Sequence, residues 1–243
     1  MANVVNTGAH RGIGRSILLK FAQKGNNVWA CARKPDLAFE AEIADIARQN
    51  DVWIEPVYFD LSSTESIKNG FKKILLSKKP VDVLVNCAGV AFVDIFQRTS
   101  EQKIREVFEI NVFSVMTMTQ LALKLMVRQK KGAIVNVSSI GGLDAYPAHC
   151  AYGASKAAVA AFTRTLTTET GPMGIRVNAV APGATATDMI EAFEMKANGN
   201  LLKNCAMKRK ANPSEIADAV YYLASEEASF VNGQILRVDG GSC

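Results

Sequence analysis

The chain has 243 residues, of which 49% are hydrophobic and 21% charged, with a formal net charge of +5. That length fits a single domain over residues 1–243, and the composition is ordinary for a globular protein. No basic stretch alternates with aromatics, which argues against a nucleic-acid partner. The most apolar helical stretch, residues 112–127, carries threonines, Gln120 and Lys124, which argues against a membrane span.

In chain order, short apolar runs at 4–6, 28–32, 53–59, 81–86, 133–137, 176–181 and 235–238 predict strands buried on both faces. Helical patterns fill the gaps at 13–24, 37–49, 64–76, 101–128, 152–170 and 214–224. Ser63, Ser100 and the pair Pro213-Ser214 mark three of their starts. Strict alternation of this kind predicts an α/β, doubly wound Rossmann fold: one parallel sheet of about seven strands with helices on both faces. Five cysteines, Cys31, Cys87, Cys150, Cys205 and Cys243, form no CxxC or metal-like cluster. Their odd number fits reduced thiols in a reducing, cytoplasmic compartment. The opening Met1-Ala2-Asn3-Val4-Val5-Asn6 enters structure at once, so no signal peptide is expected. Asn136-Val137-Ser138 matches a glycosylation sequon, but it falls in a predicted buried strand and is read as chance.

In such a sheet, ligands sit beyond the carboxyl ends of the strands, and the polar motifs cluster there. Thr7-Gly8-Ala9-His10-Arg11-Gly12-Ile13-Gly14 joins the first strand to the first helix. Its glycines let the backbone approach a pyrophosphate, and the helix N-terminus offers unpaired N–H groups. Asp60, with Leu61 beside it, ends the third strand, where its carboxylate accepts from an adenine amino group or caps the next helix. Asn86-Cys87-Ala88-Gly89 ends the fourth strand with small residues that admit a ribose. Ser138-Ser139 ends the fifth. Tyr152 and Lys156 lie four residues apart, hence on one helix face, and Tyr152 follows Ser139 by thirteen residues.

Taken together, these residues, with Asn111 and Pro182-Gly183, resemble a short-chain dehydrogenase/reductase over essentially the whole chain. Cys87 departs from the family, which usually has a second asparagine there. The resemblance implies that Tyr152 is the general acid of carbonyl reduction. A free tyrosine titrates near about 10; Lys156 and an oxidised nicotinamide are expected to lower that value. Lys156 also reaches the nicotinamide ribose, and Ser139 donates to the carbonyl oxygen. Ser139 is preferred to Ser138 because the resemblance places the catalytic serine thirteen residues before the tyrosine; neighbouring serines in a strand point to opposite faces. Asn111 holds a proton-relaying water by the family pattern, or marks a helix kink or packing contact.

NAD-dependent relatives usually carry an acidic residue at the end of the second strand. Here Ala32 stands there and Arg33 follows. Arg33 with Arg11 suits the 2′-phosphate of NADP(H), which is therefore expected over NAD(H); solvated surface groups are the alternative. Thr185 and Thr187, after Pro182-Gly183, are candidates for the carboxamide or a phosphate. Residues 186–212 carry Met189, Ile190, Phe193, Met195, Leu201, Leu202 and Met207, read as a lid over the substrate or as ordinary packing. Phe92, Ile95, Phe96, Leu143 and Tyr146 are candidate pocket walls. The closest subgroup is the 3-oxoacyl-acyl-carrier-protein reductases, which suggests a carbonyl substrate linked to a carrier protein. The basic run Arg128-Gln129-Lys130-Lys131 either meets that carrier or answers a helix dipole. Met173 stands where the subgroup often has a second carrier-binding arginine. Reductases of polyols, sugars or steroid-like ketones are the alternative, and a non-catalytic nucleotide-binding scaffold another. A scaffold, however, has no need of Ser139, Tyr152 and Lys156 together. The resemblance also implies a homodimer or homotetramer, built on the helices at 101–128 and 152–170.

Overall fold

The structure, a computed structural model, describes residues 1–191 and 202–242. Seven parallel strands form one sheet in the order β3-β2-β1-β4-β5-β6-β7. They are β1 Asn3–Thr7, β2 Asn27–Ala32, β3 Ile54–Tyr58, β4 Val83–Asn86, β5 Gly132–Val137, β6 Ile175–Pro182 and β7 Ile235–Val238. The reversal between β1 and β4 is the switch point at which doubly wound sheets open a crevice.

Side chains alternate across each strand, so consecutive residues feed opposite cores. Val4, Val28, Ala30, Val83, Val85 and Val135 face one layer of helices: α1 Gly12–Gln23, α2 Leu37–Asn50 and the last helix, α7 Pro213–Ala224. Val5, Trp29, Leu84, Ile134 and Val177 face the other: α3 Thr64–Leu76, α5 Ser114–Gln129 and α6 Cys150–Thr170. The strands are hydrophobic on both sides because both sides are covered. Helix starts follow local chemistry. Asp36 caps α2 by accepting from the Ala38 and Phe39 amides, Ser63 caps α3, and Ser100 caps α4 Glu101–Phe108.

Most predicted elements stand within one or two residues of their observed bounds, the ordinary fraying of ends. The exception is the helix at 101–128. It divides into α4 and α5 around a π-helical turn, Glu109–Phe113, centred on Asn111. The stretch Glu101–Gln129 is apolar and long enough to cross a membrane. It lies instead along the sheet, with Met118, Ala122 and Met126 in the second core. Phe193, Met195 and Leu201 of the anticipated lid lie outside the described residues; Met189 and Met207 are exposed.

Candidate active site

The site is assembled at the carboxyl ends of β1, β4, β5 and β6. Thr7 closes β1 with a hydroxyl that donates to the Val85 carbonyl (3.3 Å) and accepts from the Cys87 and Ala88 amides (3.0 and 3.1 Å). This clasp, unassigned from sequence, draws the glycine loop against the end of β4. Gly8 takes φ +73°, and a Cβ there would stand 3.0 Å from the Ala88 Cα; one at Gly14 would stand 2.1 Å from the Gly8 carbonyl oxygen. Only glycine fits either place. The loop opening α1 is thus a backbone cradle of the kind a pyrophosphate takes.

Ser139, Tyr152 and Lys156 come together, as their spacing predicts. The Ser139 hydroxyl hydrogen-bonds the Tyr152 phenol and accepts from the Gly141 amide at 3.1 Å. Ser138 turns inward, 2% exposed, and donates to the Lys156 carbonyl at 2.8 Å. Of the two serines, Ser139 is the one turned toward Tyr152. Lys156 Nζ donates to the Val137 carbonyl at 2.8 Å and lies 6.0 Å from the Tyr152 ring centre.

The electrostatics differ from expectation in one respect. Burial raises the Tyr152 pKa, and the Ser139 hydrogen bond only partly opposes it. Burial also lowers Lys156 to about 8. An ammonium that far away, in a dry site, does not outweigh desolvation of the phenolate. Burial pushes the Cys87 thiol up to about 12, so it stands beside the ammonium as a neutral group.

Asn111 is fully buried and spends its amide within the site. Its Oδ1 accepts from the Val90 amide (2.8 Å), while its Nδ2 donates to the Val90 carbonyl (2.9 Å) and Ser155 Oγ (3.0 Å). Ser155, also unassigned from sequence, donates onward to the Tyr152 carbonyl at 2.7 Å. A Cβ on Gly89 would meet both Asn111 Oδ1 (3.1 Å) and Lys156 Nζ (3.3 Å). Asn86 is turned away: its Nδ2 donates to Thr119 and Asn136 inside the sheet. Its side chain therefore holds β4 in place, and Ala88 and Gly89 present the backbone.

At the other end of the crevice, Arg33 pairs with Asp60 at 3.0 Å, and Arg11 with Asp188 at 3.3 Å. Both arginines are largely exposed, so these pairs are weak and open to exchange with a stronger anion. Asp60 does not cap α3. Its other oxygen accepts from the Ser62 amide and hydroxyl, which lowers its pKa. Leu61 packs on the second core and Ile13 on the first. Pro182 ends β6, Thr185 donates to the Gly183 carbonyl, and Thr187 donates to the Thr185 carbonyl.

A glycine cradle and a serine at strand ends, with a buried tyrosine and lysine beside them on α6, point to an oxidoreductase. Comparison with known proteins agrees. A family model described as enoyl-(acyl carrier protein) reductase matches residues 8–242. The 3-oxoacyl-[acyl-carrier-protein] reductase of Thermotoga maritima is 35% identical over 238 residues, 97% of this chain and 95% of that protein. A structure described as a putative NAD(P)-dependent gluconate 5-dehydrogenase from Beutenbergia cavernae, with bound NADP, superposes with a TM-score of 0.92 at 32% identity, covering 99% and 96% of the two chains. A 3-oxoacyl-[acyl-carrier protein] reductase from Brucella melitensis gives 0.87 at 32%, covering 99% and 90%. The chain belongs to the short-chain dehydrogenase/reductase family. It is an oxidoreductase acting on CH–OH and C=O groups.

Proposed function

We propose that the chain is an NADP(H)-dependent carbonyl reductase in which Tyr152 delivers the proton. The observation that carries this reading is the hydrogen-bonded Ser139–Tyr152 pair, with the Lys156 ammonium behind it. A reduced nicotinamide, when bound, supplies the hydride. Gly8, Gly12, Ile13 and Gly14 would hold the pyrophosphate, and Asp60 and Leu61 the adenine end. Ala88, Gly89, Tyr152 and Lys156 would line the ribose, and Pro182, Gly183, Thr185 and Thr187 would hold the nicotinamide end. Arg11 and Arg33 favour the 2′-phosphate over a bare ribose diol, since no carboxylate stands at Ala32. In the reduction, Ser139 Oγ donates to the substrate carbonyl oxygen and stabilises its growing charge. Tyr152 gives that oxygen its phenolic proton, and the Lys156 ammonium lowers the cost of the phenolate left behind.

For the substrate, likeness to 3-oxoacyl-[acyl-carrier-protein] reductases supports a 3-oxoacyl thioester. The basic run Arg128–Lys131 gives that reading little help within one chain. It precedes β5, so it lies at the end of the sheet opposite Ser139, and Lys131 is paired with Glu226. A hydroxylated ketone of the polyol or sugar kind is the second reading, favoured by likeness to the structure described as a putative gluconate 5-dehydrogenase. One domain over 1–243 is inferred to carry the whole activity. Self-association is inferred from exposed apolar groups: Phe113 where α5 begins, and Phe230 and Leu236 beside the open edge of β7. Placement in a reducing compartment such as the cytoplasm draws support from four cysteines, Cys31, Cys87, Cys150 and Cys205, that are free.

Tyr152→Phe tests the proton donor. Turnover is expected to fall by at least about 10²–10⁴-fold, while the variant still binds NADPH, read by quenching of protein fluorescence, with at most a modest loss of affinity. Full turnover in that variant would remove Tyr152 from the chemistry.

A further inference from the structure

One side chain of the last strand ties two walls of the crevice together. Arg237 of β7 forks onto Asp144, its Nη1 and Nη2 donating to the two carboxylate oxygens at 2.8 and 2.7 Å. Its Nε donates to Asp239 at 2.8 Å, and Nη2 also donates to the Ser242 carbonyl at 2.9 Å. Four of the five guanidinium N–H groups are thus engaged. The Arg237 and Asp144 side chains are 35% and 34% exposed, and that of Asp239 only 8%. A bidentate pair so shielded fixes geometry as well as charge.

Each carboxylate stands behind a different wall. Asp144 ends the turn that Ser139 begins: the Gly142 amide donates to the Ser139 carbonyl at 3.0 Å, and the Asp144 amide to the Ile140 carbonyl at 2.8 Å. A Cβ on Gly141, inside this turn, would stand 3.5 Å from Ser139 Oγ and 3.6 Å from Tyr152 Cε1. The turn therefore abuts both side chains. It rests on α6 by close contact, since a Cβ on Gly142 would stand 2.6 Å from the Ala157 nitrogen. Turns this tight have poor internal hydrogen-bond geometry, and the Arg237 fork anchors the far end. On the other side, the Gly183 amide donates to the Val238 carbonyl at 3.0 Å. A Cβ on Gly183 would stand 2.8 Å from the Asp239 Cα and Cβ. Asp239 thus backs the segment that would hold the nicotinamide end.

We infer that Arg237 is a positioning residue for the reduction. From β7 it sets the spacing between the Ser139 turn, held through Asp144, and the Gly183 edge, held through Asp239. The first wall meets the carbonyl oxygen and the second holds the nicotinamide end, so their spacing governs how closely the carbonyl carbon approaches the hydride. A misplacement of about 1 Å in such an approach costs on the order of 10²-fold. Arg237 acts through its two carboxylates and not by contact with the reacting atoms. The inference rests on Ser139 and Tyr152 meeting a ketone oxygen, and adds what holds them at the working distance.

The test uses the full chain with NADPH and two probe ketones, acetoacetyl-CoA and acetoin. Asp144→Ala cuts the fork and leaves Arg237 on Asp239, whereas Arg237→Met removes both arms. Each is expected to lower kcat by about 10–100-fold, with KM and NADPH affinity within about threefold of wild type. The double variant should be no slower than Arg237→Met, because the two groups act as one unit. Arg237→Lys, a point charge without the fork, should recover only part of the loss. Amide hydrogen exchange at residues 141–144 should quicken in Asp144→Ala and Arg237→Met, while β5 stays as protected as in wild type. A merely structural pair would loosen β5 and β7 along with the turn. The inference is overturned if Asp144→Ala keeps full kcat, if the two losses multiply in the double variant, or if residues 141–144 exchange at the wild-type rate. Wild type that reduces neither probe would remove the carbonyl-reductase reading for both substrate classes; the exchange comparison would still decide whether Arg237 fixes the turn.

Discussion

At the scale of single residues, the site is organised by how much charge the interior tolerates. Lys156 titrates near about 8 because burial penalises its ammonium, against an ordinary value of 10.5. Its pKa is depressed on folding, so below about pH 8 the folded state bears the full cost of the buried charge. Between about 8 and 10.5 the unfolded chain holds more protons, and stability rises with pH. Lys156→Met should therefore be more stable than wild type at pH 7, by about 1–2 kcal/mol. The advantage should shrink as pH approaches 10, although turnover is lost. Urea unfolding at the two pH values measures this; a variant weaker than wild type at pH 7 would contradict it. The grouping of the candidate catalytic residues was partly legible because helix periodicity fixes which residues share a face. The four-residue spacing puts Tyr152 and Lys156 on one face, while the choice of Ser139 over Ser138 came from resemblance to the family. The direction of the Tyr152 shift was not legible, because it depends on the depth at which the pair is buried. Thr7 and Ser155 left little trace, since their roles depend on partners far away in sequence.

At the scale of elements, the informative departure is the π turn at Glu109–Phe113. Apolar periodicity through residues 101–128 is continuous, so nothing in the pattern marks a break. The break arises because the Asn111 amide serves Val90 and Ser155 instead of lying on a regular helical face. Extra-wide turns of this kind often accompany functional sites. Asn111→Ala would leave the half-buried Val90 amide and carbonyl without their partner, and stability should fall by about 1–3 kcal/mol. A loss below about 0.5 kcal/mol, the usual size for an unremarkable surface change, would show that the turn does not depend on this side chain. The two arginines show the complementary limit of sequence. Their positions beside the glycine loop and β2 were readable, but their pairing with Asp188 and Asp60 belongs to the folded crevice.

At the scale of the whole molecule, the sheet order brings four strand ends and one helix face to a single crevice. Alternation of strands and helices foretold the parallel sheet, since a both-sided core requires apolar runs of this kind. The substrate was less legible, because it is read by loops whose shape follows from tertiary contacts such as Asp144–Arg237. The central claim is that hydride passes directly between a nicotinamide held in this crevice and a carbonyl carbon above Tyr152. The most direct test is one turnover of a ketone with NADPH deuterated in turn on each face of its nicotinamide ring, followed by mass spectrometry of the alcohol. The account predicts one deuterium on the carbinol carbon from one labelled face and none from the other, and no alcohol from Tyr152→Phe. An alcohol free of deuterium with both labels, or formed equally well by that variant, would contradict it.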